Sequence, residues 1–330
     1  MAILVDTGRP TLANLAARLD STGKIAPIIE ILAKKIPILE DAVWKEANGV
    51  TSDTVVSRTG LPSPTWRRFN QGVDPTKSTT VKYEETCGLL EAHAQVDSAL
   101  AKLNGNSREW RLSEDAAQLE GMREEVSRAF WYESAATHSE RVHGMTPRYP
   151  ASSGYSASNY VLPKGVISGS NAQSVWLINW AVGKVCFIYP KGSMMGLEVK
   201  DLGEEYVLDQ FGKQFLAMRT HYTWQFGVEV ADYRYAGRVQ WDPDDSTNFG
   251  DTGKSLYLAM QELLDQVYDV DESSSVFYMS RVSAKKFDAQ LLSNTNQGLQ
   301  FIQQGGKRVR SFMGIPLHIT DTLVGESAIS

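Results

Sequence analysis

The chain has 330 residues, with 33 Lys plus Arg against 39 Asp plus Glu and a formal charge of -6. A chain of that length has room for two lobes, and the area scaling laws let about three quarters of its extended surface become buried on folding, so no covalent staple is required. The acidic balance disfavours a dedicated nucleic-acid binder, and Cys87 and Cys186 stand alone without metal-ligand spacing, which supports neither a disulfide framework nor a zinc module.

The opening MAILVDTGRPTLANLAARLD has no basic leader region and no small-residue cleavage site, so it is not read as a secretory signal. Apolar runs such as Val175 to Val182 are far below the roughly 20 residues of a bilayer crossing, and a soluble protein is expected. Leu12, Leu15, Ala16 and Leu19 predict a short amphipathic helix, and Pro27 and Pro37 bracket the apolar stretch IIEILAKKI. Residues 1–50 are accordingly expected to form an N-terminal arm.

From Ser52 to Asp97 the pattern turns to period two, which predicts strands on either side of a long tip. That tip, LPSPTWRRFNQGVDPTKSTT, holds three prolines and cannot lie inside a packed sheet. A long protruding hairpin over 51–98 is the expectation. A two-stranded ribbon is marginally stable alone in water, so it must rest on something else, such as another copy of the chain.

Leu119, Met122, Val126 and Phe130 form one stripe of a helix predicted over 113–132, with Ser113 as N-cap and Gly121 read as permitting a close backbone approach. SVWLINWAV and KVCFIYP are expected to be joined by a tight Val182-Gly183 connection and Tyr222 to Val230 alternates as a strand, so a mixed or antiparallel sheet with one apolar face is expected. Leu256, Met260, Leu263, Leu264 and Val267 predict a second helix; a strand SVFYMS, a helix around Ala284 to Leu292, a glycine-bearing loop and a last strand GIPLHITD follow. The fold class is α+β, with a lobe boundary expected near the Ser-, Gly-, Pro- and Asn-rich stretch from His143 to Gly169.

Chemistry is scarce. The five histidines show no metal spacing, serines show no nucleophile elbow, and neither catalytic residues nor a cofactor or metal are assigned. Gly253-Lys254-Ser255 before a helix approaches a phosphate loop, but Asn248 stands where its first glycine belongs. A phosphate- or nucleotide-binding enzyme is therefore the rival reading. The cluster Lys307, Arg308 and Arg310 offers charge for a phosphate or for a neighbouring subunit.

Read together, TVVSRTGLPSPTWRRFNQGV, KSTTVKYEETCGLLEAHAQVD, LNGN and SEDAAQLEGM, with FYMSR, GGKRV and GIPLHITD near the end, resemble the major capsid proteins of short-tailed double-stranded DNA phages. The resemblance spans Val50 to Thr322. It implies an HK97-like capsid fold with an N-terminal arm, an extended loop across a neighbour, a peripheral-type domain over 99–240 with a spine helix over 113–132, and an axial-type domain over 241–330, elements that also occur connected in rearranged order. It implies a structural subunit forming pentamers and hexamers of an icosahedral head around DNA, in the virion, assembled in the bacterial cytoplasm. Implied partners are further copies, a scaffolding protein, a portal and a cement protein, with non-specific proximity to packaged DNA and no membrane. Trp66, Arg67, Arg68, Phe69 and Lys77 at the tip, and secondarily Lys307, Arg308 and Arg310, are the expected inter-subunit contacts, since aromatics and Arg dominate interface hot spots. A ring-forming tail component is a further alternative.

Overall fold

The computed structural model describes residues 34–102, 107–150, 160–164, 167, 170–243, 256–293, 299–304 and 307–327. In chain order the strands are β1 (Trp44–Glu46), β2 (Ser52–Gly60), β3 (Thr79–Thr86), β4 (Gly88–Asp97), β5 (Val161–Lys164), β6 (Gln173–Asn179), β7 (Val185–Tyr189), β8 (Leu197–Leu208), β9 (Gln214–Val230), β10 (Ala236–Trp241), β11 (Ser275–Met279), β12 (Leu299–Gln304), β13 (Lys307–Phe312) and β14 (Ile315–Ile319). The longer helices are α1 (Ser107–Tyr132), α2 (Leu256–Gln266) and α3 (Arg281–Ser293). The chain divides into two units, one built from Leu89–Ser127 and Gly196–Gln225 with Lys34, the other from Lys35–Gly88, Arg128–Met195 and Phe226 onward.

The larger unit is organised around β6, whose seven residues are all buried. It pairs antiparallel with β10 on one edge and β11 on the other, within a seven-stranded sheet of order β12-β13-β14-β11-β6-β10-β5. Burial on both faces explains why its sequence reads as a continuous apolar run instead of an alternation. On one face Val175, Leu177, Val239, Phe277 and Met279 meet Leu256, Met260 and Leu263 of α2 and Phe287 of α3. On the other, Trp176 and Tyr278 pack about Trp131, at ring separations of 5.8 and 5.7 Å.

The same unit corrects several expectations. The Val182-Gly183 turn is present, with Gly183 at φ 81°, but β6 and β7 leave it for different sheets because both edges of β6 are already taken. β7 instead pairs parallel with β1 and antiparallel with the Gly227–Val230 end of β9. The arm's described part is built into the unit: Ile36 and Ile38 are buried and Trp44 stacks on Phe187 at 4.8 Å. Its earlier part, with the expected 11–20 helix, lies outside the described residues. The glycine-bearing loop is a hairpin in which Leu299–Gln304 pairs with Lys307–Phe312, the Gly305-Gly306 dipeptide being a two-residue hairpin signal. β5 and β6, before position 241, share the seven-stranded sheet with β11 and β14, after it.

In the smaller unit the 107–127 part of α1 covers strands β4, β8 and β9. Met122 meets Ala94 and Tyr222, flanked by Leu90, Ala92, Leu197 and Trp224, while Val96 and Ala101 pack with Leu100 and Met218. β8 and β9 form a long antiparallel ribbon, from Leu197↔Trp224 to Leu208↔Gln214, which the sequence reading did not mark. The helix starts six residues before Ser113, which is therefore inside it: Arg108 and Glu109 are good helix formers, and a single Ser is a weak start signal against them. Gly121 is exposed with no heavy atom within 4 Å of a Cβ placed there, so it serves no close approach. Among the described residues no helix is long and apolar enough to cross a membrane.

Candidate assembly surface

β2 and β3 pair from Ser52↔Thr86 to Gly60↔Thr79, with an irregularity between Arg58 and Gly60. Alternation gives the ribbon two faces. Asp53, Val55 and Ser57, opposite Glu85, Tyr83 and Val81, grade from buried at the base to exposed toward the tip; Val56 and Arg58, opposite Lys82 and Thr80, are exposed. β4 continues from β3 after a break at Cys87 but lies beside β9, so the projecting ribbon is β2–β3 alone.

The base is held by buried charge. Lys45 Nζ donates to Asp53 Oδ2 at 2.6 Å and to Glu229 Oε2 at 2.8 Å, where Asp53 and Glu229 are 0% and 2% exposed. Burial pushes the Asp53 carboxyl up, but the Lys45 ammonium and the Asn48 N–H more than offset it and hold it below the usual carboxylate range. Burial likewise opposes the charge on Lys45, and its two carboxylate partners raise its pKa all the same. On the partner strand Arg148 forks onto Glu85, at 2.6 Å to Oε2, and donates to the carbonyls of His143 and Val228. Ser57 Oγ donates to the Ala231 carbonyl at 2.8 Å. Burial, with Asp53 nearby, pushes the Cys87 thiol up to about 11, so it is no nucleophile at neutral pH.

Nothing comparable holds the tip. Residues 61–77 are exposed throughout, including Arg67, Arg68 and Lys77; Trp66 is 101% and Phe69 97% exposed. Pro62, Pro64 and Pro75 remove ladder donors, and a turn with Asn70 at φ 62° carries Gln71 N–H to the Arg68 carbonyl at 3.2 Å. The two large rings do not fold back onto their own subunit.

Other sequence candidates fare differently. Arg310 pairs with Asp288 at 3.0 Å, whereas the side chains of Lys307 and Arg308, and the whole of Gly253-Lys254-Ser255, lie outside the described residues. Among the acids of the ribbon strands, Asp53 and Glu85 are buried and already paired. Glu84 remains exposed, accepting from Ser52 Oγ at 2.7 Å. The fold also brings together Glu91, His93 and His221, whose ligand atoms lie within 4.8 Å of one another. Linear spacing could not reveal that group, because His221 belongs to a distant strand.

The sequence model described as Major capsid protein GP7 matches residues 20–329. The chain belongs to this major capsid protein family. A structure of bacteriophage Epsilon15 is similar over 100% of this chain and 99% of that one, at 29% identity and a TM-score of 0.79. The capsid of bacteriophage JBD30 is similar in fold over 90% of this chain and 95% of that one, at 9% identity and a TM-score of 0.52. No curated protein sequence matches. The capsid protein thus has the HK97-like α+β fold and is a structural subunit of a multimeric phage shell, located in the virion. It is not an enzyme, which removes the phosphate-loop rival.

Proposed function

We propose that the β2–β3 ribbon is the extended loop of this capsid subunit and lies across a neighbouring copy, with Trp66 and Phe69 seated in the neighbour and Arg67, Arg68 and Lys77 setting register. The observation that carries this is the contrast between a base fixed by buried ion pairs and a tip whose two large rings are fully exposed. Aromatic side chains bury about 150–250 Å² each, which at ~25 cal/mol per Å² is about 4–6 kcal/mol apiece before the loss of side-chain freedom is subtracted. Repeated at every contact of a closed shell, terms of that size drive assembly.

In this reading α1 is the spine helix of a peripheral-type region within 99–240, residues 241–330 contribute the axial-type region, and residues 1–50 begin as an arm. The basic cluster at Lys307, Arg308 and Arg310 is a lesser contact. The copies form pentamers and hexamers of an icosahedral head enclosing double-stranded DNA, assembled in the bacterial cytoplasm with a scaffolding protein, a portal and a cement protein. The net charge of -6 supports loose, non-specific proximity to that DNA.

The test is a Trp66→Ala/Phe69→Ala variant. Hot-spot truncations cost at least about 2 kcal/mol each, so the subunit should keep its unfolding midpoint while electron microscopy shows closed shells lost. Shells of normal yield and diameter would refute the role of the tip.

A further inference from the structure

We propose that Glu91, His93 and His221 form a binding site for a divalent transition-metal ion of the zinc class, clipping β4 to β9. Glu91 and His93 are two apart on β4, so their side chains leave the same face of the strand. Leu90, Ala92 and Ala94, on the opposite face, belong to the apolar cluster with Met122 of α1. The site therefore occupies the face turned away from the helix, with Glu91 and His93 exposed and His221 half-buried.

The geometry is close to what a metal needs. Ligands about 2.0–2.2 Å from a tetrahedral zinc stand roughly 3.3–3.6 Å apart. Glu91 Oε1 already lies 3.5 Å from His221 Nε2. The two imidazoles stack with ring centroids 4.5 Å apart and planes 15° apart; since a ligating lone pair lies in its ring plane, exposed His93 must turn out of the stack for its nitrogen, already within 4.8 Å of the other two ligand atoms, to face the ion. Thr223 Oγ1, 3.3 Å from His221 Nε2, is on the same side as a hydrogen-bonding neighbour.

The chemistry of the set selects the ion. Two imidazoles and one carboxylate suit zinc, nickel or copper, whereas calcium and magnesium demand more oxygen ligands. Glu198 and Lys200 of β8, opposite Thr223 and His221 and so on the same face, offset each other in charge and leave the Glu91 carboxylate to neutralise the ion in part. Coordination of this kind would join two strands whose shared apolar cluster is small, and would stabilise the unit that carries α1.

The experiment is calorimetric titration of the full-length protein with zinc chloride, repeated with calcium chloride and with cobalt as a visible-absorption probe. One zinc per chain is expected, with no heat from calcium and a tetrahedral-type cobalt spectrum. His93→Ala and His221→Ala should each weaken zinc binding at least tenfold without changing the metal-free melting temperature by more than about a degree. His138→Ala, an exposed histidine elsewhere, should bind as the parent does. Failure of the parent to bind zinc, or a loss below tenfold in either variant of the pair, overturns the proposal.

Discussion

Replacing Lys45 by Met tests whether the ribbon is fixed by charge at its base. The substitution keeps the length of the stem but leaves Asp53 and Glu229, 0% and 2% exposed, with no ammonium between them. Breaking a buried ion pair by removing one partner costs about 3–5 kcal/mol. Because the Lys45 side chain is itself 28% exposed, water reaches one edge of the site and the lower end, about 3 kcal/mol, is expected. The loss also carries a signature in pH. In the parent, Asp53 is held below the ordinary carboxylate range, so its contribution is fully present above about pH 4. In the variant the Asn48 N–H still opposes the desolvation of Asp53 but the ammonium no longer does, so that carboxyl takes up a proton which the unfolded chain would have released. The folded variant then binds more protons than its unfolded state, and its stability rises as pH falls. Urea unfolding followed by tryptophan fluorescence should therefore show a gap between parent and variant that is largest at pH 7 and narrows by pH 5. A loss below about 1 kcal/mol, equal at both pH values, would refute the argument.

Gly121→Ala should raise unfolding stability by about 1 kcal/mol, since helix propensity improves and the added methyl meets no atom within 4 Å; a drop in the denaturant midpoint would count against that account. Gly227→Ala should do the reverse, by about 1–3 kcal/mol of overpacking, because its Cβ would sit 2.7 Å from the Thr86 carbonyl oxygen and 2.9 Å from Ile188; an unchanged midpoint would show that β3 and β7 yield easily. Acid should destabilise the subunit steeply below about pH 4. Despite burial, the guanidinium groups of Arg141 and Arg128 hold the Glu133 carboxyl low, and Arg281 holds Asp321 low. With Asp53, each contributes stability present above its unfolded value and lost as pH falls through its lower folded one. A circular-dichroism titration with no transition until well below pH 3 would contradict this.

Much of the element content was legible because periodicity survives in single segments. The Leu119, Met122, Val126 and Phe130 stripe and the Leu256, Met260 and Leu263 face are local patterns on predicted helices, buried except at exposed Leu119, whereas in β9 Gly227 and Glu229 are buried along with Phe226 and Val228. The tip was legible for a different reason: three prolines cannot enter a ladder, so that stretch had to leave the sheet. Other features were hidden by competing signals. Ser113 resembles a cap but is followed and preceded by helix formers, and Gly121 carries no mark of whether its face is crowded or open. The β12–β13 hairpin was announced by Gly305-Gly306 and passed over in favour of a loop.

What the sequence determined by itself was most of the elements, though neither β8 nor the β12–β13 hairpin, the projecting ribbon with its aromatic and basic tip, and the family, since these rest on local stereochemistry and on motifs read in order. The tertiary structure decided which edges pair and which charges are free. β6 cannot be told from an ordinary hairpin strand until β10 and β11 occupy both its edges. Asp53 and Glu85 look like available surface acids until Lys45 and Arg148 close on them. His93 and His221 are unrelated residues until β4 lies against β9. Each of these depends on contacts between residues far apart in the chain, and such contacts are fixed by the burial of whole faces, which no short window of sequence contains.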